Sequence, residues 1–213
     1  QEGVDAIIVL GGDGTHRAVV KYCEQVSIAG ISTGTNNAFP EQRESTITGL
    51  AVGLVVTRKI PPEIAVSQNK MLKVVKNEGE KSDIAIVDVT VTTEKFLGTR
   101  ALWRSENFRE LFVTYADPEV IGLSAIVGIL RPVGRYENFG LHVTLQSPKI
   151  AQKVIKVPIA PGLIKPVGVK NFEKISSQET IVLSTESGMI ALDGEREIGF
   201  GHDDKVKVTL VQN

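Results

Sequence analysis

The sequence predicts two parts, an α/β domain with a Rossmann-like parallel sheet over residues 1–60 and a mostly antiparallel β-sandwich over 61–213. Three observations predict this division. Strand and helix patterns alternate in the first part and are joined by glycine turns. Pro61 and Pro62 mark a change in pattern. Short β-branched segments separated by turn residues then follow, as is typical of a sandwich.

The first part reads as strand, glycine turn, helix and strand. Residues 4–10 form an apolar, β-branched run, which predicts a strand buried on both faces. Helical spacing of apolar residues predicts helices over about 15–26 and 45–57, with a strand at 27–32 between them. His16 is predicted to lie on the surface of the first helix. A βαβ unit of this kind requires parallel strands and a right-handed crossover.

The chain starts at Gln1 and reaches a strand within a few residues. Two parallel strands could not bury both faces of a sheet by themselves. We therefore expect further units of the α/β domain to precede this sequence.

The second part contains short strand patterns and one exception. The predicted strand segments are 66–77, 82–93, 139–147, 153–160, 167–175, 180–195 and 204–212. Apolar and aromatic residues near 99–116 recur at helical spacing, which predicts a helical insert there. The residues that suggest it are Leu102, Trp103, Phe108, Leu111, Phe112 and Tyr115.

Composition limits the class of protein. The 213 residues are 42% apolar and 23% charged with a formal net charge of −1, values of an ordinary globular chain. This charge balance does not suggest nucleic acid or an anionic membrane as a partner. No apolar run approaches the roughly 20 residues that span a bilayer. A single cysteine, Cys23, excludes an internal disulfide and fits a reducing compartment such as the cytoplasm.

The motif GGDGT follows the first predicted strand, at the carboxyl edge where α/β sheets bind ligands. Gly11, Gly12 and Gly14 allow close approach of the backbone, and their amides with the helix N-terminus suit an anion. Thr15 could cap the helix or bind a phosphate oxygen. Asp13 would repel phosphate unless Mg²⁺ lies between them or unless it acts as a base. A simple turn or capping role for Asp13 is the alternative.

A second polar turn, TGTNNAFP, follows the next strand. Gly34 permits the turn, while Thr35, Asn36 and Asn37 can both donate and accept hydrogen bonds. Taken alone, the turn could be purely structural. Because consecutive parallel strands end at one sheet edge, the two turns together favour a shared binding cleft.

A third motif, LDGERE, carries a strong hairpin pair at Asp193-Gly194, followed by Glu195. One interpretation is an ordinary hairpin with exposed charges. The other is that Asp193 or Glu195 faces the GGDGT motif across a cleft.

GGDGT after a strand, a second glycine-asparagine turn, a β-rich second part and a late DGE resemble the superfamily of NAD kinases and diacylglycerol- or sphingosine-type lipid kinases. The longer motifs are most similar to those of the acetoin-catabolism X (AcoX) branch, and they are GGDGTHR, STGTNNAFP, GTRALW, GLSAIVG, PIAPG and IALDGERE. The resemblance implies an NAD-kinase-like fold and an ATP- and Mg²⁺-dependent phosphotransferase with its active site between two domains. The implied acceptor is NAD or a related small molecule, which would make NADP synthesis the reaction. The resemblance leaves open whether the protein forms a homo-oligomer.

The resemblance also implies residue roles. In the NAD-kinase pattern the base for the ribose hydroxyl would be Asp13. In the lipid-kinase pattern the base would be Glu195. The residues that would contact the nucleotide are Gly11, Gly12, Gly14, Thr15, Gly34, Thr35, Asn36 and Asn37. Such a site needs mainly positioning and charge neutralisation, with no nucleophilic side chain.

Two alternatives stay open, and one of them rests on a departure from the lipid-kinase pattern. Lipid kinases of this group usually have an aspartate where this chain has Asn37, which removes a carboxylate from the expected Mg²⁺ network. A lipid kinase using Glu195 would need an apolar acceptor pocket, which residues 121–130 could supply. A nucleotide-binding regulatory protein of acetoin catabolism that has lost catalysis is the other alternative. Catalysis is favoured because Asp13 and Glu195 are both present.

Overall fold

The structure is a computed structural model that describes residues 3–34, 37–79, 81–94, 104–194 and 196–212. The chain divides into two compact units, residues 1–69 and residues 70–212. The predicted fold class, a parallel α/β sheet followed by a β-sandwich, is confirmed. Thr35, Asn36, Glu195 and part of the predicted helical insert lie outside the described residues.

The first unit is built on a βαβ motif. Its elements are β1 (Ala6–Gly11), α1 (Asp13–Val20), β2 (Ser27–Ser32), α2 (Ser45–Val56) and the single turn α3 (Pro62–Ala65). Strands β1 and β2 pair in parallel from Ala6 opposite Ser27 to Gly11 opposite Ser32. Both strands therefore end side by side, and the two glycine turns start from the same sheet edge.

Helix α1 is shorter than the predicted helix over 15–26. The carbonyl of Val19 accepts from both the Tyr22 and the Cys23 amides, which tightens the last turn. Glu24 then has a positive φ of 51°, which cannot continue a right-handed helix. The helical spacing of apolar residues continues beyond this break, so the pattern overestimates the helix.

Strand β1 is not buried on both faces, as its apolar run predicts. Val9 is buried, but Ile8 and Leu10 are 41% and 62% exposed. A sheet of two strands leaves one face without cover, and a β-branched run alone does not say which neighbours are present.

The second unit is a sandwich of two antiparallel sheets. Its strands are β3 (Lys70–Lys76), β4 (Lys81–Ala85), β5 (Asp88–Thr92), β6 (Phe108–Val113), β7 (Phe139–Gln146), β8 (Lys153–Ala160), β9 (Leu163–Ser176), β10 (Thr180–Val182), β11 (Gly188–Leu192), β12 (Arg196–Phe200) and β13 (Val206–Gln212). One sheet has the order β10-β13-β3-β4, and the other has the order β12-β11-β5-β6-β7-β9-β8.

Two apolar cores cover the two faces of the seven-stranded sheet. Phe112, Leu72 and Leu210 belong to the core that joins the two sheets. Leu111 and Ile126 belong to the other core, which includes the short helix α4 (Ser124–Leu130). Residues on the two sides of β6 therefore alternate between the cores, as the pleat of a strand requires.

The helix predicted near 99–116 is wrong over its described part. Residues 105–107 form one 3-10 turn, and Phe108–Val113 is strand β6. The strand is buried on both faces and Arg109 is an extra residue in its ladder, so no polar alternation marks it. The spacing of Phe108, Leu111 and Phe112 happens to imitate one face of a helix.

Helix α4 was not predicted. Five of its seven residues are buried, from Ser124 to Gly128, so it has no polar face to create an amphipathic period. The apolar residues 121–130, considered as an acceptor pocket for a lipid, instead contribute largely to the core. None of the described helices is long and apolar enough to span a membrane.

A buried carboxylate ties β6 to the segment before β11. Glu110 is fully buried and accepts from the amides of Ser184 and Thr185, both at 2.9 Å. His142 lies between Glu110 and the exposed Glu173, with ring nitrogens 3.0 and 3.1 Å from the two carboxylates. Burial alone would raise the pKa of Glu110, but hydrogen bonds from His142 and Thr185 outweigh it and hold the pKa below its usual value.

The lowered pKa of Glu110 predicts how the stability of the protein changes with pH. The unfolded chain takes up the Glu110 proton first, near its usual pKa of about 4.3, so the stabilisation is present above that pH. It is lost as the pH falls through the lower pKa of the folded state. We expect the stability advantage of the wild type over Glu110→Gln, measured by urea unfolding, to shrink as the pH is lowered from 6 towards 3.

The exposed Glu106 provides the matched control. Glu106→Gln should leave unfolding nearly equal to the wild type across the same series. A constant gap between the wild type and Glu110→Gln at every pH would contradict the linkage.

Candidate functional site

The first glycine turn connects β1 directly to α1. Gly11 ends the strand, and Gly12 is the N-cap residue of α1 without any side-chain cap. The first helical hydrogen bond runs from the His16 amide to the Gly12 carbonyl at 3.1 Å. The amides before His16 in α1 have no acceptor within the helix, and they carry the positive end of its dipole. This end of α1 therefore suits an anion.

Thr15 does not cap the helix, which was one of its two predicted roles. It lies in the first turn of α1 and is exposed, so its hydroxyl is available to a phosphate oxygen. A Cβ added to Gly11 would lie 2.6 Å from the Cβ of Thr15. Glycine at position 11 therefore leaves room for the Thr15 side chain.

Asp13 connects the first turn to the second. Its Oδ2 accepts from the Ala38 amide at 2.9 Å, and its Oδ1 accepts from the Phe39 amide at 2.8 Å. Oδ1 is also 3.2 Å from the Ala38 amide. Both carboxylate oxygens are thus held by backbone 25 and 26 residues further along the chain. A carboxylate has about four lone-pair positions, so an acceptor position remains for a hydroxyl or a metal-bound water.

Asn37 packs between the two turns. Its Nδ2 donates to Ser32 Oγ at 2.9 Å, at the end of β2. A Cβ added to Gly12 would lie 2.6 Å from its Oδ1, and one added to Gly34 would lie 2.9 Å from its Nδ2. Glycine at both positions therefore leaves room for the Asn37 amide in its present position. The substitution that removes a carboxylate from the lipid-kinase pattern has a structural role of its own.

His16 is fully buried, so the prediction that it lies on the surface is wrong. Its Nδ1 is 2.9 Å from the Gly12 carbonyl, and because a carbonyl only accepts, Nδ1 donates. Its Nε2 has no partner among the described residues. The ring packs over Gly30 of β2, where a Cβ would lie 2.6 Å from Nε2, and its centroid is 5.8 Å from that of Phe39. His16 thus fixes α1 against β2, and Gly30 opposite it was the overlooked signal.

The LDGE motif forms the predicted hairpin. Leu192 pairs with Arg196, and Asp193 and Gly194 have positive φ values of 50° and 70°. Asp193 is not an exposed charge, because only 8% of it is accessible. Glu195, the other acidic residue of the LDGE motif, lies outside the described part of the chain.

The Asp193 carboxylate holds the corner where the chain leaves one sheet for the other. Its Oδ1 accepts from the amides of Ile86, Val87 and Asp88 at 3.1, 2.8 and 3.2 Å, and its Oδ2 is 3.1 Å from the Ile86 amide. These three residues join β4 of the four-stranded sheet to β5 of the seven-stranded sheet. Asp193 therefore has a structural role within the second unit, where it holds the β4–β5 corner.

Comparison with known proteins identifies the family. Residues 70–213 match the model of the acetoin catabolism protein X C-terminal domain. The chain belongs to this family. Residues 1–60 match the ATP-NAD kinase N-terminal domain, so the two units of this AcoX-family chain match different domain models.

A curated relative agrees with this assignment, and a solved structure shares the fold. The acetoin catabolism protein X of Cupriavidus necator is 51% identical over 211 residues, which are 98% of this chain and 59% of the relative. The crystal structure of yeast NADH kinase complexed with NADH has a TM-score of 0.55 at 12% identity, covering 99% of this chain and 59% of that one. The chain thus spans about three fifths of both proteins, and the likeness to NADH kinase concerns the fold.

The residues of the first unit fit nucleotide phosphates and a magnesium ion. The free amides at the start of α1 and the Thr15 hydroxyl are donors for phosphate oxygens. Asp13 supplies the oxygen ligand type that Mg²⁺ prefers. No group of three or more His, Cys, Asp or Glu side chains that could hold a metal occurs in the described ranges. Asp13 would be the protein ligand of a Mg²⁺ ion that the nucleotide brings with it, and the ion would supply charge neutralisation.

Proposed function

We propose that the complete AcoX-family protein is an ATP-dependent phosphotransferase that phosphorylates a hydroxyl of NAD or of a related small molecule. The observation that carries the proposal is the joining of two glycine turns by Asp13 at one edge of a parallel sheet. The match to the ATP-NAD kinase N-terminal domain and the likeness to the NADH kinase fold support it. The single cysteine favours a reducing compartment, the cytoplasm.

The proposed roles follow from the contacts. The α1 amides and Thr15 bind the phosphates of ATP, and Gly34, Thr35 and Asn36 complete the nucleotide site from the second turn. Asn37 holds that turn against Gly12 of the first turn. Asp13 accepts the proton of the acceptor hydroxyl through the lone pair that its amide contacts leave. Mg²⁺ would neutralise phosphate charge during transfer.

Glu195 is the second candidate for the base. It follows Asp193-Gly194, whose positions in the hairpin are defined by the Asp193 contacts with the β4–β5 corner. A Glu195→Gln variant separates the two candidates, because it leaves the Asp13 connection intact. Loss of turnover in Glu195→Gln, with ATP affinity retained, would move the base to Glu195.

The lipid kinase and the regulatory protein without catalysis have less support than the proposed phosphotransferase. The apolar segment 121–130, which would have served a lipid acceptor, contributes to the core through α4. Asn37, which motivated a protein without catalysis, contacts Ser32 and both turn glycines. Its presence therefore has a packing reason and does not require lost catalysis.

The deciding experiment is ADP release from ATP and Mg²⁺ by the complete protein, with and without NAD. We expect NAD to stimulate ADP release and NADP to form in equal amount. Absence of stimulation by NAD, with release stimulated by another hydroxyl compound, would change the acceptor. Tight ATP binding without ADP release on any acceptor would overturn the proposal and favour a regulatory protein.

A further inference from the structure

A polar groove lies on the second unit, at the end of β5 away from Asp88. It has a volume of about 400 Å³, within the range of small-molecule sites. Arg109 and Lys170 line it together with the hydroxyl side chains of Thr93 and Thr144. None of these four residues belongs to the motifs on which the proposed phosphotransferase activity rests. We refer to it as the Arg109–Lys170 groove.

Both cations occupy β-bulges. Val91 pairs with Glu110 and Thr92 pairs with Phe108, so Arg109 is an extra residue in β6. Thr144 pairs with Asn171 and Leu145 pairs with Val169, so Lys170 is an extra residue in β9. Bulges re-aim side chains and are over-represented beside functional sites.

The bulges flank the same strand. Strands β6 and β9 are the two neighbours of β7 in the seven-stranded sheet. Arg109 and Lys170 therefore approach Thr144 of β7 from opposite sides, and all three line one groove. Two independent irregularities that direct cations to one place are difficult to explain by packing alone.

Hydrogen bonds hold the other side of the groove. Residues 184–187 line it, and buried Glu110 holds this segment by accepting from the Ser184 and Thr185 amides. The Arg109 guanidinium is also oriented, because its Nη1 donates to the carbonyls of Glu106 and Phe108, both at 2.9 Å. A guanidinium has five N–H donors, so donors remain for a ligand. Such preorganisation lowers the entropic cost of binding.

The charge in the groove is positive. Glu186 also lines it, but this carboxylate is 80% exposed and 3.3 Å from the His202 ring nitrogen. The two positive charges of Arg109 and Lys170 thus outnumber the one negative charge of Glu186. Guanidinium and ammonium groups with nearby hydroxyls are the donors that bind phosphate and carboxylate groups.

We propose that the Arg109–Lys170 groove binds the oxyanion group of a small metabolite, a phosphate or a carboxylate, between its two cations. Arg109 makes paired hydrogen bonds to two oxygens of the group, and Lys170 neutralises its charge from the other side. Thr93 and Thr144 donate hydroxyl hydrogen bonds to the same ligand. The binding involves no chemical step.

The experiment is isothermal titration of the complete protein with inorganic phosphate and, separately, with citrate. Arg109→Gln and Lys170→Gln should each raise the dissociation constant about tenfold, the effect of losing one charge-assisted contact. Lys156→Gln, which removes an exposed lysine of β8 outside the groove, is the matched control and should bind as the wild type does. Thermal unfolding of each variant shows that the fold is kept.

The outcomes separate the sources of the oxyanion. Binding of phosphate alone, of citrate alone or of both supports the groove, provided that Arg109→Gln and Lys170→Gln weaken it selectively. Phosphate bound at the α1 N-terminus would be unaffected by these variants. Equal binding in all four proteins, an equal loss in Lys156→Gln, or no binding of either anion would overturn the proposal.

Discussion

Replacement of Asp13 by asparagine should lower turnover by at least about 100-fold, the contribution of a general base, and should also weaken ATP binding. The second effect follows from the contacts. Asp13 accepts from both the Ala38 and the Phe39 amides, whereas an asparagine has one acceptor oxygen and presents an NH₂ group to the other amide. The second turn would then lose an anchor, and we expect ATP affinity to fall about tenfold.

The measurement is ATP affinity by calorimetry beside steady-state ADP release from the complete protein. Asp5→Asn removes an exposed carboxylate of the same unit and should change neither quantity. Unchanged ATP affinity with lost turnover would limit Asp13 to the chemistry. Full turnover in Asp13→Asn would contradict its role as the base.

Replacement of Asp193 by alanine should destabilise the second unit by about 3 kcal/mol. The substitution leaves the amides of Ile86, Val87 and Asp88 without their charged acceptor. A hydrogen bond to a charged group contributes about 1.5–3 kcal/mol, and a buried donor without a partner adds its own cost. Asp193→Asn keeps one acceptor oxygen, so we expect a smaller loss of about 1–2 kcal/mol.

Urea unfolding of the wild type and of both Asp193 variants tests this order. Asp203→Ala is the matched control because Asp203 is an exposed aspartate of the same unit, and its unfolding should match that of the wild type. An Asp193→Ala protein with wild-type stability would show that the β4–β5 corner holds without the carboxylate. A loss as large in Asp193→Asn would show that charge matters more than the acceptor oxygen.

Local patterns were sufficient for the parallel unit and for most strands. The βαβ order followed from glycine turns between apolar runs, and β2 and α2 begin at the predicted residues. The run over 82–93 was predicted as one segment, but the structure divides it into β4 and β5. The apolar run over residues 84–87 continues across the corner without a turn residue, and the carboxylate that holds the chain there is more than 100 residues away.

The sequence was sufficient to place the two turns of the candidate site at one sheet edge, but not to predict the contacts between their residues. GGDGT and TGTNN were expected at one sheet edge because parallel strands end together, and β1 and β2 do. That Asp13 accepts from Ala38 and Phe39 could not be read from the sequence, since nothing local pairs a carboxylate with amides 25 residues later. His16 was misplaced for the same reason, because helical position does not show that Gly30 leaves space for its ring.

The packing of Asn37 against Gly12 and Gly34 also couples substitutions at these three positions of the chain. A side chain at position 12 or 34 would occupy space that the Asn37 amide already fills. A side chain introduced at either glycine therefore forces the Asn37 amide to move away from Ser32. A smaller side chain at position 37 would instead make room at both glycines, so the order in which the three positions change decides whether the turns stay packed.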